Sequence, residues 1–470
     1  MAHMLLTTHG TRGDVLPFIV LGQALRDSGH DVTLFTHCLN EAEALEAGLN
    51  FVAWDTKEEW DEYIRFSQLI KGPMREIEQY TQFFVENFNM EKCKRELAKL
   101  KPYCELDDTV LVARFSSSIS ALLAAEIYQK PIVSFFLTPS YITQIRIDHD
   151  LCGESNTRLL NMVRDSLGLP PVKSYTEWTC IMKYKVGLWS RWFYPPGLTE
   201  MKNFITVGFP DYSIYKTAAR GLTKDVEEFL AQGEAPIIIS GSSGKDFTLN
   251  YFDTAIEACI QLGLRVLVVT PFYELVANHL NGNKNNALKW VDFIDFEALL
   301  PHAKAIIHHG GIGTIIYALR FKVPQLILAG NIDRPFNASL IKKLNLGQFL
   351  PMACWSVNNI QAAVKEVLND TIRANCNYYA ELMQKEKAMA KAAKIIVNAA
   401  GNPKFLIDID KILATGAAQE CTACDSETQA NGPKVETPSH EKLPHITDQK
   451  KEILARLLHE KLKGGLTPHY

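Results

Sequence analysis

The sequence predicts an α/β protein made of two parallel-sheet domains. Short apolar runs alternate with helical ones from the N-terminus, and the same alternation starts afresh after residue 234. In the second series, His308-His309-Gly310-Gly311-Ile312-Gly313-Thr314 reads as a strand entering a glycine turn and then a helix.

The first domain, residues 1–212, opens with strand-like Leu5–Thr8, Val32–Phe35 and Phe51–Trp54, separated by helical Val15–Arg26 and Glu41–Ala47. A long helical and aromatic stretch over 57–100 follows, large enough to wall a pocket. The sheet pattern then resumes with Thr109–Ala113, helical Ser117–Tyr128 and Ile132–Phe136. From 138 to 204 the pattern is irregular, and Trp178, Trp189, Trp192, Phe193 and Tyr194 cluster there. Such aromatics either line an apolar ligand site or pack a loop onto the core.

Residues 213–234 read as the connection, and 235–412 as the second domain. Its strand-like runs are Pro236–Ser240, Arg265–Thr270, Leu288–Val291, Lys304–Ile307 and Gln325–Leu328. Residues 413–446 are rich in Ser, Thr, Pro and Glu and are expected to be a disordered linker. An amphipathic helix is expected over 447–464, with Ile453, Leu454, Leu457, Leu458 and Leu462 on one side.

Composition narrows the function. A net charge of −4 over 470 residues, with no long basic run, gives no footprint for nucleic acid. No stretch of eighteen apolar residues occurs, and polar residues reach His9 and Arg12 too early for a signal peptide, so a cytoplasmic protein is expected. Ten scattered cysteines suit reduced thiols, and the single Cys421-x-x-Cys424 pair has no partner at zinc-site spacing, so no metal is expected.

Four segments carry candidate chemistry. The turn at His308–Thr314 lets backbone approach a ligand, and the helix start that follows favours an anion such as a diphosphate. His9-Gly10-Thr11-Arg12-Gly13-Asp14 ends the first strand, and its Asp14 is either a helix cap or a general base. Ser240-Gly241-Ser242-Ser243 is either a phosphate-binding turn or an ordinary polar one. The aromatics of Trp290-Val291-Asp292-Phe293-Ile294-Asp295-Phe296 suit a nucleotide base or the core, and Asp333 suits sugar hydroxyls or the cap of the next helix.

Taken together and in this order, these motifs resemble those of the family 1 glycosyltransferases, especially the bacterial natural-product branch and its sterol glucosyltransferase relatives. The resemblance spans nearly all of residues 3 to 400. It rests on Gly10-Thr11-Arg12-Gly13-Asp14 with Pro17, Val207-Gly208-Phe209, Pro301-His302 before His308–Thr314, and Val323-Pro324-Gln325 before Asp333-Arg334-Pro335-Phe336-Asn337-Ala338. It implies the GT-B fold, two Rossmann-like domains facing across a cleft, the first binding acceptor and the second nucleotide-sugar, here with a tethered C-terminal helix.

The resemblance further implies an inverting transfer from a UDP- or TDP-sugar to a hydroxyl, less readily a carbon or nitrogen, of an apolar natural product, without a metal. Asp14 would be the base, with His9 as the plant-type alternative. His309, Gly310, Gly311, Gly313 and Thr314 would hold the diphosphate with help from Arg12, Ser242 and Ser243. Phe293 or Ile294 would border the base, Asp333 and Arg334 the sugar, and Trp189, Trp192 and Phe193 the acceptor. Arg334 stands where relatives carry glutamine, which opens the sugar's identity. The tail helix resembles terminal helices of nonribosomal peptide and polyketide synthase subunits and suggests docking to such a partner. Alternatives are a sterol or lipid glucosyltransferase, or a catalytically silent scaffold of the same fold.

Overall fold

The computed structural model of the chain describes residues 1–67, 90–115, 117–195, 204–212, 221–241, 249–281, 287–330 and 333–407. Ser242, Ser243, the Cys421–Cys424 pair, the 413–446 linker and the 447–464 helix lie outside the described residues.

Two all-parallel sheets form the frame. The first contains β1 (His3–Thr7), β2 (Asp31–Thr36), β3 (Asn50–Ala53), β4 (Thr109–Arg114), β5 (Ile132–Phe136), β6 (Lys185–Gly187) and β7 (Phe204–Thr206), in the order 3-2-1-4-5-6-7. The second contains β8 (Ile237–Ser240), β9 (Val266–Val269), β10 (Leu288–Val291), β11 (Ala305–His308), β12 (Gln325–Ala329) and β13 (Gly347–Pro351), in the order 10-9-8-11-12-13. Strands such as Val110–Val112 and Ile237–Ile239 are apolar at every position because helices cover both faces of each sheet.

In each sheet the order reverses beside the first strand, between β1 and β4 and between β8 and β11. Such switch points open a crevice at the carboxyl ends of the strands. His9, Arg114, Ser240 and His308 all stand at those ends.

Two stretches differ from expectation. The irregular segment 138–204 contains a helix, Ser140–Ser166, a short helix, Tyr175–Thr179, and the strand β6. Polar residues and Gly153 interrupt any apolar stripe in the long helix, so its periodicity is faint. The edge strand β13 was not anticipated because Gly347 and Pro351 mark its ends.

The chain also crosses back. Helices Asp370–Gln384 and Ala388–Val397 and the following Phe405 share one apolar core with first-domain helices and strands. Tyr184 stacks on Phe405 with ring centres 3.9 Å apart, and Ser190 donates to the Glu386 carboxylate. This return fixes the second sheet against the first.

A buried ion pair ties the long helix to its neighbours. Arg164 meets both oxygens of Glu126 at 2.7 Å, and Trp178 Nε1 donates to the same carboxylate at 3.2 Å. Removing one partner leaves the other charge buried and unpaired. Arg164→Met is therefore expected to cost roughly 3–5 kcal/mol in denaturant unfolding, and the double variant Arg164→Met/Glu126→Leu to recover much of it. Equal destabilisation by both would contradict a paired buried charge.

Candidate functional site

The second-domain half of the cleft is built around a turn. His308 ends β11 fully buried, and its Nε2 donates to Gln325 Oε1 at 3.0 Å while its Nδ1 accepts the Gly310 N–H at 3.2 Å. These bonds assign the neutral tautomer, and burial lowers the ring's pKa to about 4. Gly310 has φ +93°, and a β-carbon there would stand 2.8 Å from Ile327 Cγ2. Gly311 then caps the helix Ile312–Arg320, whose first-turn N–H groups and positive dipole end suit an anion.

His309 lies directly over Gly311. Burial first, then the neighbouring Arg334 and His308, push its pKa well below the ordinary value, so it is a neutral hydrogen-bond donor. Thr314 lies in the first turn beyond it, half-buried. Arg334 opens the helix Arg334–Lys343, and its backbone carbonyl backs onto Gly310.

Asn337, one turn after Asp333, joins three groups. Its Nδ2 donates to Asp333 Oδ2 at 2.9 Å and to Gly310 O at 3.3 Å, and its Oδ1 accepts from Thr138 Oγ1 of the first domain at 2.8 Å. Burial raises the Asp333 pKa; Arg334 works against this and the charge of Asp14, across the cleft, adds to it. The acid expected to read the sugar thus stands within electrostatic reach of the acid expected to act as base.

On the first-domain side Gly10 has φ +118° and donates its N–H to His37 Nε2 at 3.0 Å. The other nitrogen of His37 is paired with Asp55. Burial lowers the His37 pKa despite that carboxylate, so this ring too is neutral. Asp14 takes the Thr11 N–H at 2.9 Å and the Thr11 hydroxyl at 3.2 Å on Oδ2, forming a capping box, and pairs with Arg114 through Oδ1 at 2.9 Å. A carboxylate has roughly four acceptor sites, so these three contacts leave one, and the side chain is 25% exposed. The cap is formed and the group remains accessible.

Several expected residues stand elsewhere than expected. His9 is not at the mouth: it is buried, stacked on Trp54, with Nε2 2.8 Å from Glu96 Oε1. Burial alone would raise the Glu96 pKa, but His9 and the Ser120 hydroxyl outweigh it and hold it at about 2. Arg12 is exposed and engages Glu43 at 3.0 Å. Ile294 is buried in the core beneath β9 and β10, whereas Phe293 is 57% exposed and free to meet a planar ring.

The aromatic run does not wall a pocket. Trp189 is fully buried with its Nε1 donating to Tyr194 O, Phe193 packs on Phe209, and Trp192 packs on Phe209 and Tyr379. These rings fill the seam where the chain crosses back. The burial of aromatic surface wins there over exposure to an acceptor.

Arg114, His37 and Glu96 contact these turns and their neighbours without having been anticipated, and Asn337, quoted only as part of a motif, was not anticipated as the link between Asp333 and Thr138. Only Asn337 carried a local signal, its spacing of four from Asp333 on one helix. Among the described residues no group of three His, Cys, Asp or Glu is placed to hold a metal, and no helix is long and apolar enough to cross a membrane.

Comparison with known proteins points the same way. Residues 4–147 match the glycosyltransferase family 28 N-terminal domain, and residues 273–398 the erythromycin biosynthesis protein CIII-like C-terminal domain. The chain is 24% identical to the vancomycin aglycone glucosyltransferase of Amycolatopsis orientalis over 85% of this chain and 98% of that one. It is 24% identical to a sterol 3-beta-glucosyltransferase of Arabidopsis thaliana over 82% of this chain and 63% of that one. Its fold matches the glycosyltransferase VinC, solved in complex with dTDP, with TM-score 0.62, 18% identity, and 85% and 99% of the two chains covered.

The neutral His308 has a measurable consequence. Its folded pKa of about 4 lies below the ordinary 6.5, so its neutral form stabilises the fold above pH 6.5 and that contribution is lost as pH falls toward 4. The loss is on the order of 3 kcal/mol. Denaturant unfolding of His308→Gln is expected to fall less steeply than wild type across that window; parallel curves would contradict a buried neutral ring.

Proposed function

The chain belongs to the family 1 glycosyltransferases of the GT-B fold and uses a nucleotide-sugar donor, and we propose that it is an inverting enzyme acting on a hydroxyl of an apolar natural product. The observation that carries the reading is convergence. Thr138 of the first domain bonds Asn337, which holds Asp333 and the Gly310 turn of the second, and the charge of Asp14 reaches Asp333 from the first domain.

In this reading the donor's diphosphate rests on the N–H groups after Gly311, with His309 donating a further hydrogen bond. Phe293 stacks on the base, a thymine or uracil, and Asp333 accepts from sugar hydroxyls. The acceptor oxygen forms its bond to the anomeric carbon as the bond from that carbon to the diphosphate breaks. The electron pair leaves with the diphosphate, and the acceptor's proton passes to Asp14. Fixed dipoles at the helix start meet the charge that grows on the leaving group. Attack from the face opposite that group inverts the centre.

Asp14 is preferred to His9 on accessibility: His9 is 8% exposed and its Nε2 is engaged by Glu96, whereas Asp14 keeps an exposed quarter of its side chain. A lipid acceptor presented from a membrane is less well supported, because in the aromatic run Trp189 is fully buried and Trp192, partly buried, packs against the core.

The test is binding and slow hydrolysis across a panel of UDP- and TDP-sugars. His309→Ala is expected to weaken nucleoside diphosphate binding about tenfold or more, the worth of one hydrogen bond to a charged group. Asp14→Asn is expected to keep donor affinity within about twofold and to slow turnover roughly 10²–10⁴-fold. If wild type binds no donor, the enzyme reading gives way to the scaffold.

A further inference from the structure

Arg114 closes β4, and only 11% of its side chain is exposed. Its Nη1 donates to the His9 carbonyl at 2.6 Å, and its Nη2 meets both the Tyr141 hydroxyl and Asp14 Oδ1, the latter at 2.9 Å. One cation therefore joins the end of β1, the first turn of the helix Arg12–Asp27, β4 itself, and the start of the helix Ser140–Ser166. A buried guanidinium persists only where its charge is met, and here Asp14 answers the charge while Nη1 and Nη2 find acceptors and Nε has none.

The surrounding groups define what that cation does. Burial works to discharge Arg114, but Asp14, Tyr141 and Tyr63 more than offset it, so the group stays charged. Burial pushes the phenols of Tyr141 and Tyr63 up to about 12, so both are neutral hydrogen-bonding groups at working pH. Asp14 is then the anion that answers the cation. Asp333 faces it from the other domain with the same sign, and Thr11 and Arg12 flank it on its own turn.

We propose that Arg114 is a positioning residue for sugar transfer: its ion pair with Oδ1, anchored by its bonds to the His9 carbonyl and the Tyr141 hydroxyl, fixes the direction in which the Asp14 carboxylate faces the cleft. This rests on the reading of Asp14 as the base. Without the guanidinium, Asp14 Oδ1 loses its partner and the carboxylate is held by Thr11 alone, so an oxygen is less often in line with the acceptor's proton. A residue that only braced the fold would lower the amount of active enzyme and leave the turnover of each folded molecule where it was.

The experiment measures kcat and KM for hydrolysis of UDP-glucose or TDP-glucose, whichever wild type turns over, per folded molecule, with donor Kd by calorimetry. Arg114→Met is expected to lower kcat roughly tenfold or more with KM and donor Kd nearly unchanged. Arg114→Lys keeps the charge but not the fork geometry, so its kcat should fall between those of Arg114→Met and wild type. A wild-type kcat in folded Arg114→Met overturns the proposal. Should that variant fail to fold by circular dichroism, full wild-type rate in Arg114→Lys overturns it instead. Failure of the functional reading shows separately, as wild type that binds neither donor or as Asp14→Asn that turns over like wild type.

Discussion

Two glycine turns can hold their shape only because a buried histidine takes the backbone N–H of each. Gly10 and Gly310 both adopt left-handed backbone, and each gives its N–H to a neutral ring, His37 Nε2 in one domain and His308 Nδ1 in the other. A buried N–H without an acceptor costs about 1–3 kcal/mol, and a protonated ring could not accept it. Burial keeps both rings neutral. The helix starts that carry Asp14 and the anion site follow directly from these turns, so the cleft inherits its geometry from two hydrogen bonds.

Joining the halves falls to a different set of contacts. Asn337 binds Thr138 across the cleft while holding Asp333 and the Gly310 carbonyl on its own side. Behind it, the returning helices and the aromatic seam of Trp189, Phe193, Phe209 and Tyr379 bury the surface that fixes the two sheets together. Chemistry that needs an acid from each domain depends on that seam, although none of its rings touches the proposed substrates. The departure at Arg334 also finds a physical setting: it lies beside His309 and the Gly310 turn, where a cation favours the diphosphate as readily as the sugar.

Much of this was legible locally. Strand and helix alternation, the glycine turns, and the placement of His309, Asp14 and Asp333 at carboxyl ends of strands all arise from short-range patterns. What the sequence could not show was pairing over distance: Glu96 lies 87 residues from His9, Arg114 lies 105 from the carbonyl it binds, and Thr138 lies 199 from Asn337. The aromatic cluster shows a second limit. Composition tells that Trp189, Trp192 and Phe193 bury apolar surface, not whether a ligand or the protein itself covers them.

The most direct test of the central claim, a nucleotide-sugar site at the second-domain turns facing Asp14, is amide hydrogen exchange of the full chain with and without dTDP or UDP. The account predicts slower exchange over His308–Tyr317 and Asp333–Ala338, with a smaller change at Thr11–Val15 across the cleft. No change at saturating nucleotide, or protection confined to segments away from these turns, would contradict it.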